Sequence, residues 1–196
     1  VFDENLDLFC LETANTSYII GLADHRTFVG HVYYGKRVRG QDLRYLLRTG
    51  EAPFVPSENE RERCSFYDTF PSEYSGNGVG DYRESSIAVR TQAGQHAVMP
   101  TYVSYEITDQ KPELPGLPSA FDREHTAQAL ILHCRDEVLQ LDVDLYYTVF
   151  EENDMITRSV RISNQSKEAV YLTKAYSACM DMDDDAYEML TLHGSW

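Results

Sequence analysis

The chain has 196 residues, with 32 Asp and Glu against 17 Lys and Arg, so its formal net charge is -15 at pH 7. This charge repels nucleic acid and anionic lipid, so we expect neither nucleic acid nor a membrane as a partner and favour a neutral or cationic ligand. No stretch reaches the about 18 apolar residues of a membrane-spanning helix. The length suits a single β domain with one sizeable core.

Four cysteines lie far apart in the sequence without CxxC spacing: Cys10, Cys64, Cys134 and Cys179. Two of them, Cys10 and Cys134, lie within apolar runs, where cysteine acts as a small hydrophobic side chain. The first residues, VFDENLDLF, are acidic and do not resemble a signal peptide. We therefore expect free thiols, a reducing compartment and a cytoplasmic location.

The first third of the chain has the alternating pattern of β-strands. Alternation at 6–10 and β-branched or aromatic runs at 18–22 and 28–34 predict three short strands. Turn-forming residues at 23–26 separate the last two strands, so the pattern indicates a meander.

One short helix is expected near 41–48. Leu43, Leu46 and Leu47 stand at positions i, i+3 and i+4 of this run, which gives one or two helical turns a narrow apolar stripe.

The stretch from Phe66 to Arg90 has neither helical nor strand periodicity over most of its length. Three glycines, Gly76, Gly78 and Gly80, fall within five residues and indicate unusual backbone geometry, because glycine adopts positive φ freely. Tyrosines and carboxylates are frequent around them, which is atypical of ordinary core. We predict a long structured loop of the kind that carries function.

Asp81 and Arg83 lie within this loop at alternate positions. Alternate residues of an extended segment point the same way, so the two side chains are predicted to form a charge-assisted pair. We expect this pair to brace the loop rather than to contact a ligand.

The pattern of the second half predicts a series of strands at 102–107, 127–134, 139–150, 156–162 and 170–177. Alternation is strict from Leu139 to Phe150, which predicts a long antiparallel strand with one buried face. We expect these strands to pair as successive hairpins. Many strands, short turns and little helix predict an all-β sandwich of two antiparallel sheets.

Metal and cofactor signals are weak. The six histidines show no HxH or HxxxH spacing, and none pairs with a cysteine at zinc-ligand spacing, so we expect no metal site. The acidic run at 180–185 lacks the alternating ligands and the glycine of a calcium loop, and a solvated acidic turn is the preferred interpretation. No phosphate-binding loop, nucleophile elbow or serine triad occurs, and no cofactor is predicted.

Five motifs in order resemble those of one enzyme family. They are LRTGEAPFVPS, TFPSEYSGNGVGDYRE, KPELPGLPS, YTVFEENDMITRSVRISN and the terminal LTLHGSW. Together they resemble the N-terminal domain of α-galactosidases of glycoside hydrolase family 36. The resemblance implies a β-supersandwich similar to galactose mutarotase, with residues 1–196 as one N-terminal domain and a catalytic (β/α) barrel downstream.

The resemblance also bears on catalysis and sugar binding. Retaining glycosidases use two carboxyls about 5 Å apart. The pair Asp81 and Glu84, or the acidic run at 183–185, would provide two carboxyl groups. Since the family's catalytic aspartates belong to the barrel, we assign no catalytic residue within 1–196. The resemblance implies that Trp196 binds sugar through its indole face, although a tryptophan can equally pack an interface.

A second family position falls on Glu51, where relatives can carry a sugar-binding aspartate that reaches a neighbouring subunit. Glutamate keeps the carboxylate but has a longer reach, and an exposed loop residue is an equally good interpretation.

The resemblance implies retaining hydrolysis of terminal α-1,6-linked galactose, as in melibiose and raffinose, by a homo-oligomeric parent enzyme, with a tetramer as one expected form. The present residues alone are expected to be inactive. An alternative is a stand-alone carbohydrate-binding or assembly module. A mutarotase-like epimerase is disfavoured, because its chemistry needs an acid/base pair that no motif here identifies.

Overall fold

The computed structural model describes residues 1–49, 66–67, 69–124, 126–181 and 186–192. The ten strands in these ranges are β1 (Phe2–Asp3), β2 (Leu8–Glu12), β3 (Thr16–Ala23), β4 (Phe28–Lys36), β5 (Ile87–Thr91), β6 (Thr101–Thr108), β7 (Gln128–Asp136), β8 (Leu141–Phe150), β9 (Met155–Asn164) and β10 (Val170–Ala175). Every strand pairing is antiparallel. The all-β prediction is confirmed, and no helix in these ranges is long and apolar enough to cross a membrane.

The first sheet is the predicted meander, with the order β1-β2-β3-β4. A tight turn joins β3 to β4, and its residues Asp24, His25 and Arg26 all have positive φ. Asp tolerates this left-handed conformation because its short side chain can hydrogen-bond locally. The turn therefore sets the register in which Ile20 pairs with His31 and Leu22 with Val29.

The second sheet has the order β6-β7-β8-β9 and contains the longest alternation in the sequence. Leu141, Val143, Leu145 and Tyr147 of β8 are at most 2 % exposed, and they pack with residues of β2, β3 and β5 in one core cluster. The strand begins at Leu141, because Gln140 has a positive φ and closes the preceding turn. The predicted buried face is confirmed.

The prediction that the last strands pair as successive hairpins is wrong for β10. This strand pairs with β5 in a two-stranded sheet instead of following β9 in its own sheet. Ile87 and Val89 of β5 are at most 1 % exposed and belong to the main core cluster, so the small sheet contributes one apolar face to the core. The alternation of a strand predicts its buried face but does not identify the strand that pairs with it.

A short 3-10 helix at Arg44–Leu46 lies within the predicted helical run. The side chain of Asp42 accepts a hydrogen bond from the backbone N–H of Arg44 and starts the turn. The three leucines of the predicted stripe, Leu43, Leu46 and Leu47, pack in a small cluster with Leu8, Ile19 and Val32.

The Phe66–Arg90 stretch is irregular, as predicted, but much of it is core. Phe66, Tyr67 and Phe70 are buried and contact Phe28 in an aromatic cluster. The interpretation of this stretch as atypical of core is therefore wrong for these three residues. Gly78 has the positive φ that the glycine pattern predicted, at 77°. Isolated bridges and turns hold the backbone of this stretch, so its large aromatic rings are buried without regular secondary structure.

A buried carboxylate joins the layers of the sandwich. Glu73 is fully buried, and its Oε1 accepts hydrogen bonds from the hydroxyls of Tyr18 at 2.7 Å and Tyr147 at 2.8 Å. Arg158 Nη2 lies 2.8 Å from the same oxygen. His31 Nδ1 lies 3.4 Å from Glu73 Oε2, and neither of these two atoms has a hydrogen-bond partner in the described part of the chain.

The electrostatics of this cluster hold Glu73 ionised. Burial acts to raise the pKa of Glu73, but the charge of Arg158, together with His31 and Tyr18, outweighs it, and the pKa is lowered from its ordinary 4.5. Burial and the nearby Glu73 raise the pKa of Tyr18 and Tyr147, so both hydroxyls stay protonated and donate. The Arg158 guanidinium also lies over the Tyr147 ring, 4.9 Å from its centroid.

Replacing Glu73 with glutamine should strongly destabilise the protein. The substitution keeps the shape but leaves the Arg158 charge buried without its partner, which costs about 3–5 kcal/mol of unfolding free energy. The control is Asp7→Asn, which removes the exposed ion pair with Arg26 and should cost at most about 1 kcal/mol. Chemical denaturation measures both; equal losses would contradict a central role for Glu73.

The effect of Glu73 should also depend on pH. A carboxyl whose pKa is lower in the folded state contributes stability above its unfolded pKa and loses it as the pH falls through the folded value. The difference in unfolding free energy between the wild type and Glu73→Gln should therefore be largest near neutral pH and shrink below pH 4.5. A difference that stays constant between about pH 7 and about pH 3 would contradict the lowered pKa.

Candidate functional site

A cavity of about 480 Å³ opens beside β4. Four tyrosines contribute to its lining: Tyr33 and Tyr34 from β4, Tyr45 from the 3-10 helix, and Tyr187 from the C-terminal part. Tyr187 stacks on Tyr34 with ring centroids 6.2 Å apart and donates its hydroxyl to the Tyr34 carbonyl at 3.2 Å. Tyr187 is thereby held against β4, and aromatic rings from three parts of the chain contribute to one cavity.

The charged part of the lining is built around Arg83. Its guanidinium binds Asp81 through two hydrogen bonds of 2.9 and 2.7 Å and also bonds Asp181. The backbone N–H of Arg83 donates to the same Asp81 carboxylate at 3.0 Å. The predicted Asp81–Arg83 pair is confirmed, and the structure adds Asp181, which ties the glycine-containing loop to the C-terminal part of the chain.

Aromatic faces beside fixed hydrogen-bonding groups suit a particular kind of ligand. A tyrosine ring can pack on the C–H face of a sugar, and carboxylate or guanidinium groups can bond its hydroxyls. The cavity therefore has the chemistry to accept a neutral, hydroxyl-rich ligand.

The two residues predicted to bind sugar, Trp196 and Glu51, lie outside the described residues. Both are close in sequence to residues that line the cavity: Arg48 precedes Glu51 by three positions, and Tyr187 precedes Trp196 by nine. Glu51 and Trp196 are thus near two cavity-lining residues in the sequence, and their role in binding sugar stays a prediction.

The carboxylates considered for catalysis have separate basic partners. Asp81 has a fully buried side chain and is held by Arg83, whereas Glu84 is 72 % exposed and pairs with Lys174. The other acidic run, at 183–185, lies outside the described ranges. Glu73 is ionised but has no exposed surface, so its position suits a structural role, since a catalytic carboxyl must reach its substrate.

Metal ligands do not cluster in the part of the chain that the structure describes. No group of three or more His, Cys, Asp or Glu side chains lies close enough there to hold a metal ion. Cys10, Cys134 and Cys179 are free thiols, and burial raises the pKa of Cys134 to about 12.

Sequence reasoning missed the residues around Glu73. One signal could have identified them: Arg158 occupies an apolar face together with Ile156, Val160 and Ile162. An arginine on a face that is otherwise apolar requires a buried acceptor. The identity of that acceptor, 85 positions earlier in the sequence, could not be read from the pattern.

Comparison with known proteins identifies the family that this chain is similar to. The sequence model described as "Glycosyl hydrolase family 36 N-terminal domain" matches residues 27–196. α-Galactosidase Mel36A of Lactobacillus acidophilus is 36 % identical over 198 residues, which cover 99 % of this chain and 27 % of that protein.

Two solved structures have the same fold. The α-galactosidase from Lactobacillus brevis superposes with a TM-score of 0.83 and 32 % identity, over 94 % of this chain and 25 % of that one. A variant of α-galactosidase AgaA from Geobacillus stearothermophilus in complex with raffinose has a TM-score of 0.78 and 30 % identity, over 87 % of this chain and 24 % of that one.

The chain spans about a quarter of the length of these relatives. The family model covers most of the sequence, and the resemblance drawn from the five motifs is confirmed. The chain therefore belongs to the family of N-terminal domains of glycosyl hydrolase family 36.

Proposed function

We propose that these residues are part of the N-terminal domain of an α-galactosidase and that the parent protein hydrolyses terminal α-1,6-linked galactose with retention. The observation that carries this proposal is the similarity to α-galactosidase Mel36A along 99 % of the chain. The complex of AgaA with raffinose supports an oligosaccharide of this class as the substrate. Both catalytic carboxylates would come from a barrel downstream of these residues.

The domain contributes to catalysis by shaping the substrate pocket. Trp196 supplies an aromatic face for the sugar, and Glu51 accepts hydrogen bonds from its hydroxyls. This role is supported by the cavity beside β4, where tyrosines provide aromatic faces and the Arg83 ion pairs provide hydrogen-bonding groups. Residues that line this cavity are close in sequence to both Trp196 and Glu51. The parent enzyme is a cytoplasmic homo-oligomer in which loops of this domain make subunit contacts.

Hydrolysis should require the longer protein. We expect the full-length parent to release p-nitrophenol from p-nitrophenyl α-galactoside, whereas residues 1–196 at equal molar concentration should be inactive, because the two carboxyls needed for retention lie elsewhere. The control is p-nitrophenyl β-galactoside, which neither protein should cleave.

Activity of residues 1–196 alone would contradict the assignment and direct attention to Asp81 and Glu84. Inactivity of both proteins, combined with sugar binding, would favour the alternative of a carbohydrate-binding module.

Trp196→Ala in the parent enzyme should raise KM for the galactoside and lower kcat/KM about tenfold, since one binding face is lost while the acid/base groups remain. Trp196→Phe keeps an aromatic face and should retain most of the efficiency. Steady-state kinetics with circular dichroism as a folding control measure both. Wild-type kinetics for Trp196→Ala would show that the tryptophan packs an interface instead.

A further inference from the structure

A β-bulge in β4 brings His31 to the wall of the cavity. The pairing of β4 with β3 shifts next to His31, so that Val32 has no residue opposite it. In a regular strand, His31 and Tyr34 would point to opposite faces because they are three positions apart. The extra residue brings both onto one face, where their ring centroids lie 4.9 and 5.8 Å from that of Tyr18. Bulges re-aim side chains in this way beside functional sites.

The backbone of His31 is fixed by the segment that carries Glu73. Gly30 and Ser72 form an isolated antiparallel bridge, and the N–H of His31 donates to the carbonyl of Pro71 at 2.6 Å. This pairing places His31 and Glu73 diagonally across two adjacent stretches of chain, within reach of their side chains. Main-chain hydrogen bonds therefore hold the two side chains next to each other.

The two ring nitrogens of His31 have different surroundings. Nδ1 is enclosed and lies 3.4 Å from Oε2 of Glu73. Nε2 is not enclosed, and it has no hydrogen-bond partner among the residues that the structure describes. His31 is 7 % exposed and lines the cavity. The small exposed part of the imidazole therefore includes Nε2, which faces the cavity.

The ionised Glu73 also determines what Nε2 can do. An ionised carboxylate only accepts hydrogen bonds, so the ring hydrogen belongs on Nδ1, which faces it. In a neutral imidazole the other nitrogen is then an acceptor. A nearly buried acceptor normally has a donor as its partner, and the hydroxyl of a ligand in the cavity would be such a donor.

The charges around the cavity favour a neutral ligand over an anionic one. The guanidinium of Arg83 is already bound by Asp81 and Asp181, and the chain as a whole carries a net charge of -15. An anionic sugar would be repelled by this field. A neutral saccharide fits better, because the Tyr34 ring lies on the same face as His31 and can pack on its C–H groups.

We propose that His31 binds a hydroxyl of the saccharide through Nε2, inside the cavity beside β4, and that Glu73 is the positioning residue that orients the imidazole. The buried carboxylate then serves the binding site as well as the core. This inference rests on the proposed function for the identity of the ligand as an α-galactoside such as raffinose.

Two substitutions of His31 separate ligand binding from packing. The amide of glutamine can take the place of Nε2, whereas the shorter amide of asparagine can take the place of Nδ1. His31→Gln therefore keeps a hydrogen-bonding group at the cavity and loses the one beside Glu73, and His31→Asn does the reverse. Both are made in the full-length parent protein, and KM for raffinose and the thermal midpoint are measured for each.

We expect His31→Asn to raise KM for raffinose about tenfold, because one hydrogen bond to the ligand is lost, and His31→Gln to raise it much less. The thermal midpoint should be lowered more by His31→Gln, because the buried carboxylate of Glu73 loses its neighbour. A KM that changes equally in both variants, or more in His31→Gln, would overturn the proposal. So would a thermal midpoint that falls further in His31→Asn, because affinity would then only follow packing.

The matched control is His133, whose Nδ1 also contacts a carboxylate, that of Asp144 at 2.7 Å, but which does not line this cavity. His133→Asn should leave KM for raffinose unchanged, and an increase as large as that of His31→Asn would overturn the proposal.

The same variants distinguish failure of this inference from failure of the proposed function. A wild-type parent that binds raffinose without hydrolysing it would contradict the proposed function only. Dissociation constants from calorimetry would then replace KM, and the role of His31 is decided by the same order of the two variants. A wild-type parent that does not bind raffinose would overturn both.

Discussion

The ion pair between Glu73 and Arg158 is the constraint on which the sandwich depends. Glu73 comes from the irregular segment before β5, Arg158 from β9, and their tyrosine partners from β3 and β8. A charge buried between two sheets is tolerated only if its partners are all in place, because an unpaired charge in the core is costly. The cluster therefore fixes how the layers are aligned as well as how strongly they are held together.

This arrangement separates the scaffold from the candidate site. The ionised groups with the deepest burial bind one another inside the sandwich, whereas the groups around Arg83 line a cavity that opens beside β4. His31 belongs to both regions, since it lies 3.4 Å from Glu73 Oε2 and lines the cavity. The position of the cavity wall is thus coupled to the packing of the core.

The sequence alone determined the strands whose periodicity is strong, such as β8, where one face is buried residue by residue, and the local Asp81–Arg83 pair, whose partners are two positions apart. Its ordered motifs also identified the family. Only the tertiary structure decided that β10 pairs with β5, that the aromatic residues after Phe66 form core, and that Arg158 meets Glu73. The physical reason is range: periodicity and short spacings reflect interactions within one strand or turn, whereas sheet partners and buried charge pairs depend on residues far apart in the chain, which no local pattern specifies.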